Sequence, residues 1–149
     1  VTEKDMRGFE DLECYQLGRK VFHEAYRVAN LLPSEEKYNL ADQLRRAATS
    51  IILNIAEGYG RYHYLDSLRF YYIARGSTME VLSALIACED RKYTHEEISH
   101  QRELCHSALR SLNGYIRYVR GQQQGKQEYG EHAVKEDAPT YTISDLPSD

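Results

Sequence analysis

The stretch Asp42-Gln43-Leu44-Arg45-Arg46-Ala47-Ala48-Thr49-Ser50-Ile51-Ile52-Leu53-Asn54-Ile55-Ala56-Glu57-Gly58-Tyr59-Gly60-Arg61 leaves little choice but a closely packed helix. Leu44, Ala47, Ala48, Ile51 and Ile55 recur at steps of three and four residues, which places them on one helical face. Alanine at two of those steps lets a partner helix come near, because interaxial distance follows the side chains at the contact. Gly58 and Gly60 follow the last apolar step, and glycine there predicts a left-handed helix terminus. Asn54 and Glu57 stand among apolar neighbours and need partners if buried. Arg45, Arg61, Arg69 and Arg75 are the candidates. Asp42, Arg45, Asn54, Glu57, Arg69 and Arg75 are therefore expected to form a structural polar network, with ion pairs that fix register more than they add stability.

Taken in order, the chain predicts four helices over residues 11–32, 40–57, 65–92 and 95–121. The first starts at Asp11 as N-cap, turns Tyr15, Gly18, Phe22, Ala25, Ala29 and Leu32 inward, and stops at Pro33, which lacks a backbone donor. Asn39 is the expected cap of the second. The third is apolar on several sides. One stripe runs through Leu65, Leu68, Tyr72, Gly76, Met79, Leu82 and Ile86, while Phe70, Ile73, Val81, Leu85 and Cys88 add others. Such breadth predicts burial on more than one face. Gly76-Ser77 in its middle predicts a close contact, since glycine costs helix stability relative to alanine. Thr94-His95-Glu96-Glu97 reads as a capping box for the fourth. That helix carries Ile98, Cys105, Leu112 and Val119 at heptad steps, with Leu109 and Ile116 between.

Residues 1–125 carry 17 Lys and Arg against 17 Asp and Glu, and residues 126–149 carry 2 against 6. The whole net charge of −4 thus falls in a polar, aperiodic stretch, and 126–149 is expected to be an acidic mobile tail. The polar N-terminal residues do not resemble a signal peptide, and no apolar run approaches the roughly 18–20 residues of a membrane span. Cys14, Cys88 and Cys105 show no CxxC spacing, so free thiols in a reducing compartment, the cytoplasm, are expected.

Three ordered motifs carry a resemblance. The first is Phe9-Glu10-Asp11-Leu12-Glu13. The second is the Asp42–Arg61 stretch, with Asp42-Gln43-Leu44-Arg45-Arg46-Ala47-Ala48, Ser50-Ile51 and Asn54-Ile55-Ala56-Glu57-Gly58-Tyr59-Gly60-Arg61. The third is Arg69-Phe70-Tyr71-Tyr72-Ile73-Ala74-Arg75-Gly76-Ser77. Together they resemble the four-helix-bundle proteins encoded in intervening sequences of large-subunit ribosomal RNA genes, relatives of the accessory variability determinant of diversity-generating retroelements. The resemblance covers about Phe9 to Arg120. It implies an all-α, up-down-up-down four-helix bundle that assembles into a ring-shaped homo-oligomer, a pentamer. The chain departs from the family pattern at Ile52, where relatives carry proline, and at Leu53, where they carry a small residue. It departs again at His63-Tyr64, where serine or threonine precedes proline, so the cap of helix three is lost.

Two constellations bear on function. With Arg102 set at 0° on a helical wheel, Arg120 falls at about 0°, His106 near 40°, Arg117 near 60° and Arg110 near 80°. Four arginines spread over roughly 27 Å of helix can follow a phosphate backbone, and an ordinary solvated face is the alternative. Arg61 stands in the second constellation, the loop Gly58-Tyr59-Gly60-Arg61-Tyr62-His63-Tyr64, which offers rings for stacking unpaired bases or simply covers the bundle end. Arg102, His106, Arg110, Arg117, Arg120 and Arg61 are the nucleic-acid-binding candidates. Catalytic signatures fare badly: there is no HExxH, and Cys105-His106 diverge by about 100° on a helix. No enzyme activity, metal or cofactor is expected. The leading expectation is a non-catalytic nucleic-acid-binding or ribonucleoprotein accessory protein. The rival is a scaffold that holds a protein partner such as a reverse transcriptase and touches nucleic acid little.

Overall fold

A computed structural model describes residues 8–94 and 98–132. Among these, five α-helices occur and no strand: α1 Glu13–Leu31, α2 Leu40–Tyr59, α3 Tyr64–Asp90, α4 Ser99–Gln122 and α5 Lys126–Tyr129. Short 3₁₀ turns at Gly8–Asp11 and Ser34–Glu36 precede α1 and α2. Each long helix packs mainly on its neighbours in sequence, and α1 closes the square by packing on α4. The connections make neighbours antiparallel, which gives the up-down-up-down bundle. Phe9 meets Tyr59 and the Tyr64 amide donates to the Gln124 carbonyl at one end, whereas Tyr93 reaches Glu36 and Arg102 reaches Glu89 at the other.

The core is aliphatic and small-residue rich. Leu44, Ala47, Ala48, Ile51 and Ile55 are all buried, as their spacing requires, and Ala74, Val81 and Leu85 of α3 face them across the interior. The closest approaches are made by glycine. A Cβ at Gly18 would lie 3.1 Å from Ile51 Cγ2, so the missing side chain sets the α1–α2 distance. At Gly58 a Cβ would lie 2.6 Å from Tyr71 Cε1. Gly58 is thus the seat of the Tyr71 ring and an internal residue of α2. The expected left-handed terminus at Gly58 and Gly60 is corrected: neither has positive φ, and Gly60 caps α2 at φ −74°.

Other sequence expectations shift by part of a turn. α1 begins at Glu13 after a 3₁₀ turn, and Leu12 rather than Asp11 occupies the cap position. Its inward line runs through Cys14, Gly18, Val21, Ala25 and Val28, leaving Tyr15, Phe22 and Leu32 at the core margin. In α3 the buried line is Leu68, Tyr71, Ala74, Thr78, Val81, Leu85 and Cys88. Tyr72, Ile73 and Met79 are exposed instead. A helix apolar nearly all round gives a wheel no clear direction, and Tyr71 resolves it by filling the space over Gly58.

The caps also differ. Asn39 makes no cap bond with its side chain. Glu36 supplies it: Oε2 accepts from the Leu40 amide at 3.2 Å and from Asn39 Nδ2 at 2.9 Å, while Oε1 accepts from Tyr93 Oη at 2.9 Å. These bonds, the Tyr93 hydroxyl first, hold the Glu36 carboxyl below its ordinary pKa. His63 restores the cap of α3, its Nδ1 accepting from the Leu65 amide at 3.2 Å. The capping box proposed for α4 has His95, Glu96 and Glu97 outside the described residues. The fourth helix ends at Gln122, with Gln123 rather than glycine in the left-handed region at φ 49°.

The acidic tail is corrected over its first residues. Lys126–Tyr129 is helical, and the segment through Glu131 docks on the end of the bundle. Tyr62 Oη donates to Glu128 Oε1 at 2.8 Å and Tyr64 Oη to Glu131 Oε2 at 2.9 Å. His63 Nε2 lies 3.1 Å from the Gly130 carbonyl, to which it donates, because a carbonyl oxygen can only accept. Residues 133–149 lie outside the described residues.

Candidate functional site

Of the four arginines expected on α4, two have carboxylate partners among the described residues and two do not. Arg102 Nη2 is 2.8 Å from Glu89 Oε1, and Arg110 Nη2 is 2.9 Å from Glu103 Oε1. Glu103, which borders the arc on the wheel, is held below its ordinary pKa by that hydrogen bond with Arg110. His106 is exposed on the same face. Two of the four arginine charges are therefore matched at the N-terminal half of the helix. Arg117 and Arg120, one turn apart near its C-terminus, are exposed and make no ion pair among the described residues.

Arg120 is brought to a second basic residue by the fold. The antiparallel packing of α3 on α4 places Arg69 beside it, and a shallow cleft of about 340 Å³ is lined by both, with Tyr64, Leu65, Leu68 and Tyr72. Arg61 belongs to the same end of the bundle. Its Nη2 lies 2.7 Å from Glu57 Oε1 and its guanidinium stands 5.0 Å from the Phe70 ring centre, so it is braced rather than freely extended.

The structural polar network separates into independent pieces. Asn54 Nδ2 donates to the Ser50 carbonyl at 2.8 Å and to Ser50 Oγ at 3.0 Å, and Ser50 Oγ meets Ser77 Oγ at 2.8 Å. This serine pair is the close α2–α3 contact expected near Gly76-Ser77; Gly76 itself faces open space. Arg45 Nη2 donates to Asn30 Oδ1 at 2.9 Å, and Asp42 pairs with Arg46 at 3.7 Å. Arg75 lies 4.9 Å from the Tyr72 ring and reaches Asn113 Oδ1 at 3.4 Å, while Arg69 lies 5.5 Å from the Phe70 ring. Of the ion pairs expected from sequence, Glu57 with Arg61 and Asp42 with Arg46 are present among the described residues, each within a turn of α2 or its end. Rings and amides take the other arginines: Phe70 and Tyr72 on α3 lie under Arg69 and Arg75, and Tyr26 with Asn30 on α1 takes Arg45.

The loop read from sequence as a stacking surface, with Tyr59, Arg61, Tyr62 and Tyr64, forms one side of a cleft of about 590 Å³ at this end of the bundle; what the sequence reading missed is the other side, from Tyr71, Tyr115 and Tyr118. Six tyrosines line it: Tyr59, Tyr62, Tyr64, Tyr71, Tyr115 and Tyr118. Tyr71 and Tyr64 are buried, whereas Tyr59, Tyr62 and Tyr118 stand at an open rim. Tyr71 and Tyr115 meet edge to face at 5.2 Å, and Tyr115 and Tyr118 stack at 6.1 Å. Burial and the hydrogen bond with Tyr115 push the Tyr71 hydroxyl well above its ordinary pKa. The signal was present in Tyr59, Tyr62 and Tyr64 after one helix and Tyr115 and Tyr118 near the end of another. Antiparallel packing is what joins the two groups.

Among the described residues, no group of three or more His, Cys, Asp or Glu side chains is placed to hold a metal ion, and no helix is long and apolar enough to cross a membrane. Comparison with curated proteins gives no match. Residues 10–114, from the 3₁₀ turn before α1 through most of α4, match the family described as 23S rRNA-intervening sequence protein, and the chain belongs to that family.

Proposed function

We propose that this protein is a non-catalytic nucleic-acid-binding accessory of a ribonucleoprotein, and that it acts as a ring of identical subunits. The observation that carries the reading is the pairing of Arg69 with Arg120 in one cleft, at the end of the bundle where Arg117 also lies. Cations without carboxylate partners retain their attraction for phosphate, whereas Arg102 and Arg110 have theirs largely matched. The family's description, which ties it to ribosomal RNA intervening sequences, supports an RNA setting. Ring symmetry would repeat a weak site and so raise its avidity.

Fluorescence anisotropy with labelled single-stranded RNA and duplex DNA over a salt series tests this. Affinity should fall steeply with salt, and Arg69→Gln with Arg120→Gln should weaken binding and flatten the slope. Arg102→Gln with Arg110→Gln should change little. Absence of binding to either nucleic acid at low salt overturns the reading.

A second reading, a scaffold for a protein partner such as a reverse transcriptase, is favoured by a different observation. Leu53, Ile73 and Met79 are 61%, 49% and 52% exposed on the paired helices α2 and α3. Pull-down of a polymerase that survives nuclease treatment, with no RNA binding by the purified protein, would favour it.

A further inference from the structure

We propose that the tyrosine-lined cleft at the bundle end is a pocket for one unpaired nucleobase, continued past Tyr64 by the Arg69–Arg120 cleft as a seat for the adjoining phosphate. The inference rests on the proposed nucleic-acid reading and adds what that reading lacks, a reason to select single strands.

The chemistry of the walls points to a flat, polar aromatic group without positive charge, since the one charged side chain among the lining residues is Arg61, which also pairs with Glu57 at 2.7 Å. Tyrosine faces dominate, and Val119 is the one aliphatic side chain among the lining residues, which disfavours acyl chains and other oily ligands. No carboxylate lines the cleft, so it offers nothing to a cationic ligand beyond the ring faces. Gln122 and Gln124 bring amides to the rim, and Ser67 brings a hydroxyl to the wall. An amide presents donor and acceptor side by side, the pattern that pairs with the edge of a base. Stacking on tyrosine is tolerant of base identity because every base has a π-face.

The neighbourhood favours a nucleotide over an aromatic peptide side chain. Tyr64 lines both this cleft and the one holding Arg69 and Arg120, so a ring-binding space and a basic space share a wall. Two acids bond to the lining tyrosines: Glu131 receives the Tyr64 hydroxyl and pairs with Lys126 at 2.6 Å, and Glu128 receives the Tyr62 hydroxyl. A base in a duplex cannot enter such a space without leaving its stack, so the pocket should discriminate against paired strands.

The test compares two short labelled oligonucleotides by anisotropy at low salt, one wholly abasic and one carrying a single adenine. The strand with the base should bind about tenfold more tightly. Tyr118→Ala, at an exposed rim position, and Gln122→Ala should each reduce that difference while leaving binding of the abasic strand and helix content unchanged. Saturation-transfer NMR with adenosine monophosphate supplies a reading that does not depend on strand binding, and its signal should fall in Tyr118→Ala. Equal binding of both strands by the unaltered protein, without transfer to the nucleotide, overturns the base pocket and leaves the wider nucleic-acid function standing. Transfer to the nucleotide with no strand binding does the reverse. Transfer to a tyrosine-containing dipeptide and none to adenosine monophosphate would overturn the proposal in favour of a peptide ligand.

Discussion

Gly58 and Gly76 are both glycines inside long helices, yet they answer to opposite constraints. A methyl group at Gly58 would fall 2.6 Å from the Tyr71 ring and 3.0 Å from the Ser67 carbonyl, so one of two helices would have to move. Gly58→Ala should cost about 1–3 kcal/mol, the range for overpacking, as a lower urea midpoint. An unchanged midpoint would show that Tyr71 can swing aside. At Gly76 nothing lies within 4 Å of the site of a Cβ, so Gly76→Ala in an isolated subunit should stabilise by about 1 kcal/mol through helix propensity alone. The buried thiols obey a third constraint. Burial pushes Cys14, Cys88 and Cys105 up to about 11, which keeps them protonated and poor nucleophiles at neutral pH. Alkylation in native buffer should therefore be slow and should accelerate only when urea opens the bundle. Rapid labelling of any one would mean its helix breathes locally.

At the scale of the elements, the four long helices were legible because period and breaker residues agree over Asp42–Arg61 and around Pro33. The caps of α2 and α3 were not, because both are made by residues outside the usual class. Glu36 reaches forward from a turn to cap α2, and a histidine does the work expected of serine at α3. The Glu36 carboxyl has a lowered folded-state pKa, so its stabilising contribution is complete above the ordinary carboxylate value of 4.5. It is lost as pH falls through the lower folded value. Glu36→Gln should remove part of the acid limb of a stability–pH curve, seen by thermal unfolding between pH 3 and 7. Parallel curves for the two proteins would end this account. α5 was invisible for another reason: four residues carry no period, and its docking depends on Tyr62, His63 and Tyr64, some 66 residues away in sequence. Truncation after Gly125 should lower the melting temperature by several degrees. A truncated protein that melts with the full chain would show that the clasp adds nothing.

For the whole molecule, sequence and structure agree on the bundle and part at the functional surface. The arginine stripe was sound as helix geometry, and Arg117 and Arg120 remain its open end. Its N-terminal half is matched by carboxylates, and one of them, Glu89, comes from another helix, so no wheel drawn on α4 alone can show it. Leu53 and Ile73 lie at the same level of the α2–α3 pair, near the Ser50–Ser77 contact, and leave apolar side chains in water. If subunits cover that face, mass photometry should give a particle near five times 17.3 kDa, and Leu53→Lys with Ile73→Lys should release monomers. A clean monomer at micromolar concentration ends the ring. The chain also enters and leaves the bundle at one end: Gly8 lies against Tyr59, and Gly125 lies against His63. A label placed at Gly8 or just beyond α5 would thus sit beside the mouth of the tyrosine cleft and could occlude it. The turn around Tyr38, 86% exposed at the far end, is the place to graft a label or surface anchor without shadowing the ligand face.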